Sequence, residues 1–156
     1  MIKKQRGWEF IDTGDLSSGP TLNFNGSYTY YRLTIFGEIS GLNSLGLLQI
    51  NGQITNNYRY VYIDNSGNDT IGTTDGIIIG AGAAGDDASF NAILVLPNNT
   101  HSQKWAYNYG AENRNHDRYY LVQDTVFSWS TLTSVKIFNT GAGGNITGRY
   151  ILEGLK

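Results

Sequence analysis

At 156 residues the chain is long enough to bury a core of its own, and with no cysteine it has neither a disulfide framework nor a thiolate metal site. Apolar residues at 40% and aromatics at 13% exclude a disordered chain, while a net charge of −2 leaves no basic footprint for a nucleic acid. The longest apolar runs, such as 92–96, are too short to span a bilayer, and the opening "MIKKQRGWEF" lacks the apolar stretch of a secretory signal, so the expectation is a cysteine-free protein made in a cytoplasm, with no membrane partner.

Asparagine, glycine, threonine and serine stand where lysine and glutamate usually would, a mixture that supplies turns and strand faces but few helix interiors. No window longer than two turns shows apolar residues at helical spacing. The first six residues, with Lys3, Lys4 and Arg6, read as a short basic arm, and 7–156 as one β-sandwich domain. Strands are predicted at 7–13, 28–36, 45–51, 58–64, 75–81, 89–96, 104–109, 118–127, 132–139 and 145–153, with turn clusters at 14–19, 37–43, 65–68, 82–87, 97–102 and 141–144. Such regular alternation is the pattern of an all-β sandwich or barrel.

In "YYRLTIF" the alternation assigns Tyr31, Leu33 and Ile35 inward and Tyr30, Arg32, Thr34 and Phe36 outward. "RYVYID" is ambiguous, because Tyr60 and Tyr62, in step with Tyr58, oppose Arg59, Val61 and Ile63. "NAILVL" is almost continuously apolar and is expected to be buried on both faces. Only 113–118 tempts a helical turn, without an apolar stripe. The chain closes on "NTGAGGNITGRYILEGLK", which reads as an integral last strand paired near the first. In it, Gly148 marks a bulge or a close backbone approach.

Few residues carry chemistry. His101 and His116 stand far apart, each without a second ligand at metal spacing. Ser89 and Ser128 lack a nucleophile elbow. The glutamates Glu9, Glu38, Glu112 and Glu153 are scattered, although two acids from distant strands can in principle converge on a glycosidic bond. "DNSGNDT" places Asp64, Ser66 and Asn68 as in a calcium loop, but Asp69 occupies the glycine position and Asp75 the position of the bidentate glutamate, so a turn is expected; Asp86–Asp87 is treated alike. The four sequons, at Asn25, Asn68, Asn98 and Asn145, carry no weight without a secretory signal. No catalytic residue, metal or cofactor is therefore expected.

For binding, the stretch "KWAYNYGAENRNHDRYY" stands out. Trp105, Tyr107 and Tyr109 share one strand face, followed by Arg114, His116 and Arg118, which suits carbohydrate stacking or a tyrosine-rich protein contact.

Four segments, "GWEFIDT", "YYRLTI", "LLQINGQITNNYRYVYID" and "NITGRYILEGLK", give the chain a resemblance to small β-sandwich virion proteins of tailed bacteriophages. It departs from their pattern at Glu153, where a tyrosine is common. The resemblance implies a single-domain, jelly-roll-like antiparallel β-sandwich, without enzymatic activity, assembled in the host cytoplasm into a virion. Of the roles such folds fill, capsid decoration is the one expected here. The partners would be further copies of the chain, as a homotrimer, and the major capsid protein, with Lys3, Lys4 and Arg6 as capsid contacts. The alternative is a tail or baseplate module that binds a host glycan through the 105–118 stretch.

Overall fold

The computed structural model describes residues 7–41, 44–53, 58–63, 69–81, 88–98, 105–106, 119–125, 129–141 and 145–156. They form twelve strands: β1 (Glu9–Asp15), β2 (Thr21–Asn23), β3 (Tyr30–Ile39), β4 (Leu45–Ile50), β5 (Tyr58–Ile63), β6 (Asp69–Thr74), β7 (Ile77–Ala81), β8 (Ala88–Pro97), β9 (Trp105–Ala106), β10 (Tyr119–Thr125), β11 (Ser134–Asn139) and β12 (Ile146–Leu155). Every pairing between them is antiparallel, and the described residues contain no helix.

The order of pairing is that of a jelly roll. β1 pairs with β12, β2 with β11, β3 with β8 and β4 with β7, so the chain forms one long antiparallel ribbon. The ribbon folds over on itself when β12 also pairs with β3 and β11 with β4. Two four-stranded sheets result, β1-β12-β3-β8 (sheet A) and β2-β11-β4-β7 (sheet B), and they enclose the core as an all-β sandwich. The remaining strands are insertions. β5–β6 interrupts the ribbon between β4 and β7, β9–β10 interrupts it between β8 and β11, and β5 pairs with β10 to make a third sheet, β6-β5-β10-β9.

The core follows from period-two alternation. Leu33 and Ile35 of β3, Leu94 and Leu96 of β8, Leu48 and Ile50 of β4, Ile77 and Ile79 of β7, and Val135 and Ile137 of β11 are all fully buried in one cluster. Each such side chain contributes roughly 1.5–3 kcal/mol of burial. Tyr31 is inward, as its alternation predicts, and its ring meets Phe24 edge-on at 4.5 Å. The C-terminal segment is an integral strand, since β12 is paired on both sides, by β1 and β3. Gly148 lies opposite Gly37 in that ladder with a φ of 125° and no register shift, so it marks a close approach of two backbones and not a bulge. A Cβ on either glycine would collide with the facing strand.

Asparagines fasten the strand ends. Asn51, itself in the left-handed region at φ 52°, accepts from the Thr133 and Ser134 amides at 2.8 and 3.1 Å and donates to the Thr131 carbonyl at 2.8 Å. Asn98 likewise bridges the Tyr28 carbonyl and the Leu132 amide. Tyr58 resolves part of the "RYVYID" ambiguity. It is fully buried, and its hydroxyl oxygen accepts from the Ile50 amide at 2.8 Å, which ties the start of β5 to the end of β4.

Two expectations need correction. The strand predicted at 75–81 begins only at Ile77, while β2 and β6 were not expected as strands at all. The first of these is three residues long with a single buried apolar side chain, Leu22, too short to show a period. "NAILVL" is not buried on both faces: its inward residues are buried, but Ile93 is 46% exposed. The ribbon order places β8 at the edge of sheet A.

Candidate interaction surface

The outward side chains of sheet A follow from register. One row across it reads Phe10, Glu153, Arg32, Val95; the next reads Thr13, Ile151, Thr34, Ile93; a third reads Asp15, Arg149, Phe36, Asn91. Phe10 is 65% exposed and Phe36 41%. A sandwich face turned to water is usually polar at alternate positions. Here Phe10, Val95, Ile151, Ile93 and Phe36 stand among seven polar or charged residues of the same rows.

Two pairs of charges on this face compensate each other, and Glu38, outward on β3, adds a further negative charge. Arg32 donates from Nε to Glu153 Oε2 at 2.6 Å, and its guanidinium carbon lies 4.7 Å from the centre of the Trp8 ring. The hydrogen bond from Arg32 holds the Glu153 carboxyl below the usual carboxylate range, and the same bond raises the arginine. Arg149 and Asp15 form a longer, well-exposed pair at 4.0 Å. Beneath the rim, Tyr150 donates to Asp12 Oδ2 at 2.8 Å and Thr13 Oγ1 to the Tyr150 carbonyl, which clamps β1 onto β12. Burial first, and the Asp12 carboxylate second, push the Tyr150 phenol up to about 12.

The face was partly legible in the sequence. Phe36 falls outward by simple alternation, and the apolar second face of "NAILVL" is the signal for Ile93 and Val95. The Arg32–Glu153 pair joins residues 121 apart in the chain, so no local pattern announces it.

Apart from the backbone of Trp105, the residues singled out for binding lie outside the described residues. Lys3, Lys4 and Arg6 lie outside the described residues, as do Tyr107, Tyr109, Arg114, His116 and Arg118; the backbone of Trp105 is placed in β9, opposite Asp124. The possible helical turn at 113–118, the calcium-like loop at Asp64, Ser66 and Asn68, the Asp86–Asp87 pair, His101, Glu112 and Ser128 also fall outside them. Among the described residues no three of His, Cys, Asp and Glu come together as metal ligands. Of the described glutamates, Glu9 and Glu153 lie on the paired strands β1 and β12, with Glu9 opposite Gly154, and Glu38 stands apart. Glu153 is held by Arg32, Glu9 takes the Lys156 ammonium at 3.1 Å, and Glu38 sits six positions along β3 from Arg32, roughly 20 Å away. That separation is about twice the widest spacing a carboxylate pair uses on a glycosidic bond.

Comparison with protein-family models, with curated proteins and with solved structures finds no match.

Proposed function

We propose that the chain is a structural protein of a tailed-phage virion, a jelly roll that decorates the capsid exterior as an oligomer. The observation that carries this is the outer face of sheet A, where Phe10, Phe36 and Ile93 stand exposed beside the Arg32–Glu153 and Arg149–Asp15 pairs. A surface of that kind belongs to a protein that works by contact with other protein. Support also comes from where the virion-like segments fall: "GWEFIDT" leads into β1, "YYRLTI" is in β3, "LLQINGQITNNYRYVYID" spans β4 and β5, and "NITGRYILEGLK" holds β12. Apart from β5, which belongs to an insertion, these are strands of the two sandwich sheets. Lys3, Lys4 and Arg6, just ahead of β1 in the sequence, are assigned to a salt-sensitive capsid contact.

The test is co-sedimentation of purified protein with capsids stripped of it. Saturable binding is expected, weakened several-fold when Lys3, Lys4 and Arg6 are replaced by glutamine, with an unchanged melting curve. Protein that ignores capsids and is instead retained on host-surface polysaccharide, losing that retention on replacement of Trp105 or Arg114, would transfer the chain to the tail-module class.

A further inference from the structure

We propose that the outer face of sheet A is where two copies of this chain pair, sheet against sheet, about a twofold axis. The proposal deepens the reading of the protein as a self-assembling structural module and rests on it.

Four observations choose a second copy as the occupant. The first is area. Four strands about 4.8 Å apart and up to about ten residues long, at about 3.3 Å per residue, make a face of roughly 600 Å². Two such faces bury roughly 1,200 Å², the lower bound for a specific, stable contact. The second is charge. Arg32 offsets Glu153 and Arg149 offsets Asp15, so of the outward charges in these rows only Glu38, in the row of Thr147 and Ser89, adds to the repulsion between two copies. A strongly acidic or basic partner would find nothing complementary there.

The third is that the patch has no counterpart. The exposed large hydrophobics of the described residues are Phe10, Ile11, Tyr30, Phe36 and Ile93, and all lie on β1, β3 and β8 of this one sheet. A ring of three or more copies joined head to tail needs two different complementary patches, whereas a twofold contact uses one patch twice. The same surface therefore favours a pair over the trimer that the sequence suggests. The fourth is shape: one sheet face can stack on another at the ordinary sheet-to-sheet spacing of about 10 Å. Thr34, in the middle row between Ile151 and Ile93, then lies close to the axis.

Sedimentation velocity on the full chain, from about 1 to about 100 µM, a range that brackets a weak specific contact, tests the pairing. The expected mass is twice the 17.2 kDa of one chain at the upper concentrations. The F36D/I93D variant is expected to stay at the single-chain mass with a native strand spectrum. A wild-type mass that stays at one chain or settles at three overturns the proposal, as does a folded F36D/I93D variant that still pairs.

A second measurement covers the case in which that variant does not fold. The chain has no cysteine, so T34C supplies the sole thiol for a nitroxide. Spin–spin broadening that grows with concentration is expected at this position. It is not expected for T21C on the exposed edge strand β2 of sheet B. Equal behaviour of the two labels overturns the pairing. A pair that ignores capsids would sink the virion reading alone, and a single chain that coats capsids would sink the pairing alone.

Discussion

Leu47 and Ile78 point away from the sandwich core, as Phe36 and Ile93 do, yet the two sets meet different surroundings. Leu47 and Ile78 face each other across β4 and β7 on the outer side of sheet B, in a small cluster with Leu45 and Phe138, and they are 1% and 3% exposed. Beyond the sandwich, the strands that come against β7 are β5 and β10, both from the insertions. On sheet B the chain thus folds part of itself over its own second apolar face. Sheet A differs: β3 and β8 are continuous ten-residue strands, the inserted β9 comes against β8, and the outward Phe36 and Ile93 are 41% and 46% exposed. An apolar side chain on the outside of a sheet is covered by its own chain, covered by another or left in solvent. Leu47 and Ile78 are buried within this chain, whereas Phe36 and Ile93 are exposed on it.

That contrast can be broken most severely through the strand that organises sheet A. Deleting 145–156 removes β12, which is paired along both edges, with the buried Ile146, Tyr150 and Leu152. At roughly 1.5–3 kcal/mol for each side chain, the lost burial alone rivals the whole stability of a typical domain. The expected product is insoluble or lacks a cooperative melt, and a soluble truncation melting near the full-length temperature would contradict the topology.

The next largest effect compares the two outer faces directly. Leu47→Ala, on the covered face, is expected to cost about 2–5 kcal/mol, the range for emptying a packed leucine site. Ile93→Ala, on the open face, should change the stability of the dilute, unpaired chain by less than about 0.5 kcal/mol. Chemical denaturation of both variants below the pairing concentration checks the ratio. Equal losses would mean that Ile93 is as well covered as Leu47.

How far the sequence announced this arrangement depends on how local each signal is. "YYRLTIF" gave its inward and outward sets correctly because one face of β3 is buried and period two needs no further information. "NAILVL" misled because apolar residues on both faces of a strand look alike whether the second cover is the same chain, another chain or solvent. β2 escaped notice with its one buried leucine, and β6 because "DTIGTT" offers a single apolar residue at a position where alternation needs several. Asn98 falls in the turn expected at 97–102, whereas Asn51 reads as the end of the strand expected at 45–51. That they also bracket the segment at 131–134 is set by tertiary contacts some 30–80 residues distant. Trp8, Arg32 and Glu153 are individually unremarkable in the sequence, and only the pairing of β3 with β12 makes them one unit.

The tyrosines give a third, smaller contrast, read through alkaline pH. Tyr58 serves the join between β4 and the inserted β5, and Tyr150 clamps the edge strand of sheet A. Burial is the leading cause that pushes each phenol up to about 12, so the folded state favours the protonated form. The stability this represents is complete below the unfolded pKa of about 10 and is lost as the pH climbs through the folded value. For the fully buried Tyr58 it amounts to about 2–3 kcal/mol, lost between about pH 10 and 12. Tyr58→Phe should therefore melt lower at pH 8 but show a flatter decline above pH 10, and a parallel decline in both proteins would assign the alkaline loss to other groups.

The smallest effect sits on the open face. Glu153 and Arg32 are partly exposed, with side-chain exposures of 21% and 33%, so solvent screens the pair, and Glu153→Gln should cost the dilute chain no more than about 1 kcal/mol. Because the folded carboxyl lies below its ordinary value, the contribution is present above the unfolded pKa and disappears as the pH falls through the folded one. Wild type and variant should accordingly converge in stability on acidification below about pH 4. At concentrations where copies pair, the sign is the same but the consequence is larger. The substitution leaves the Arg32 guanidinium facing a second sheet without its counter-charge, and an unpaired buried charge is costly. Glu153→Gln should therefore weaken pairing well beyond its effect on folding. A variant that pairs as tightly as wild type would place Arg32 and Glu153 outside the contact.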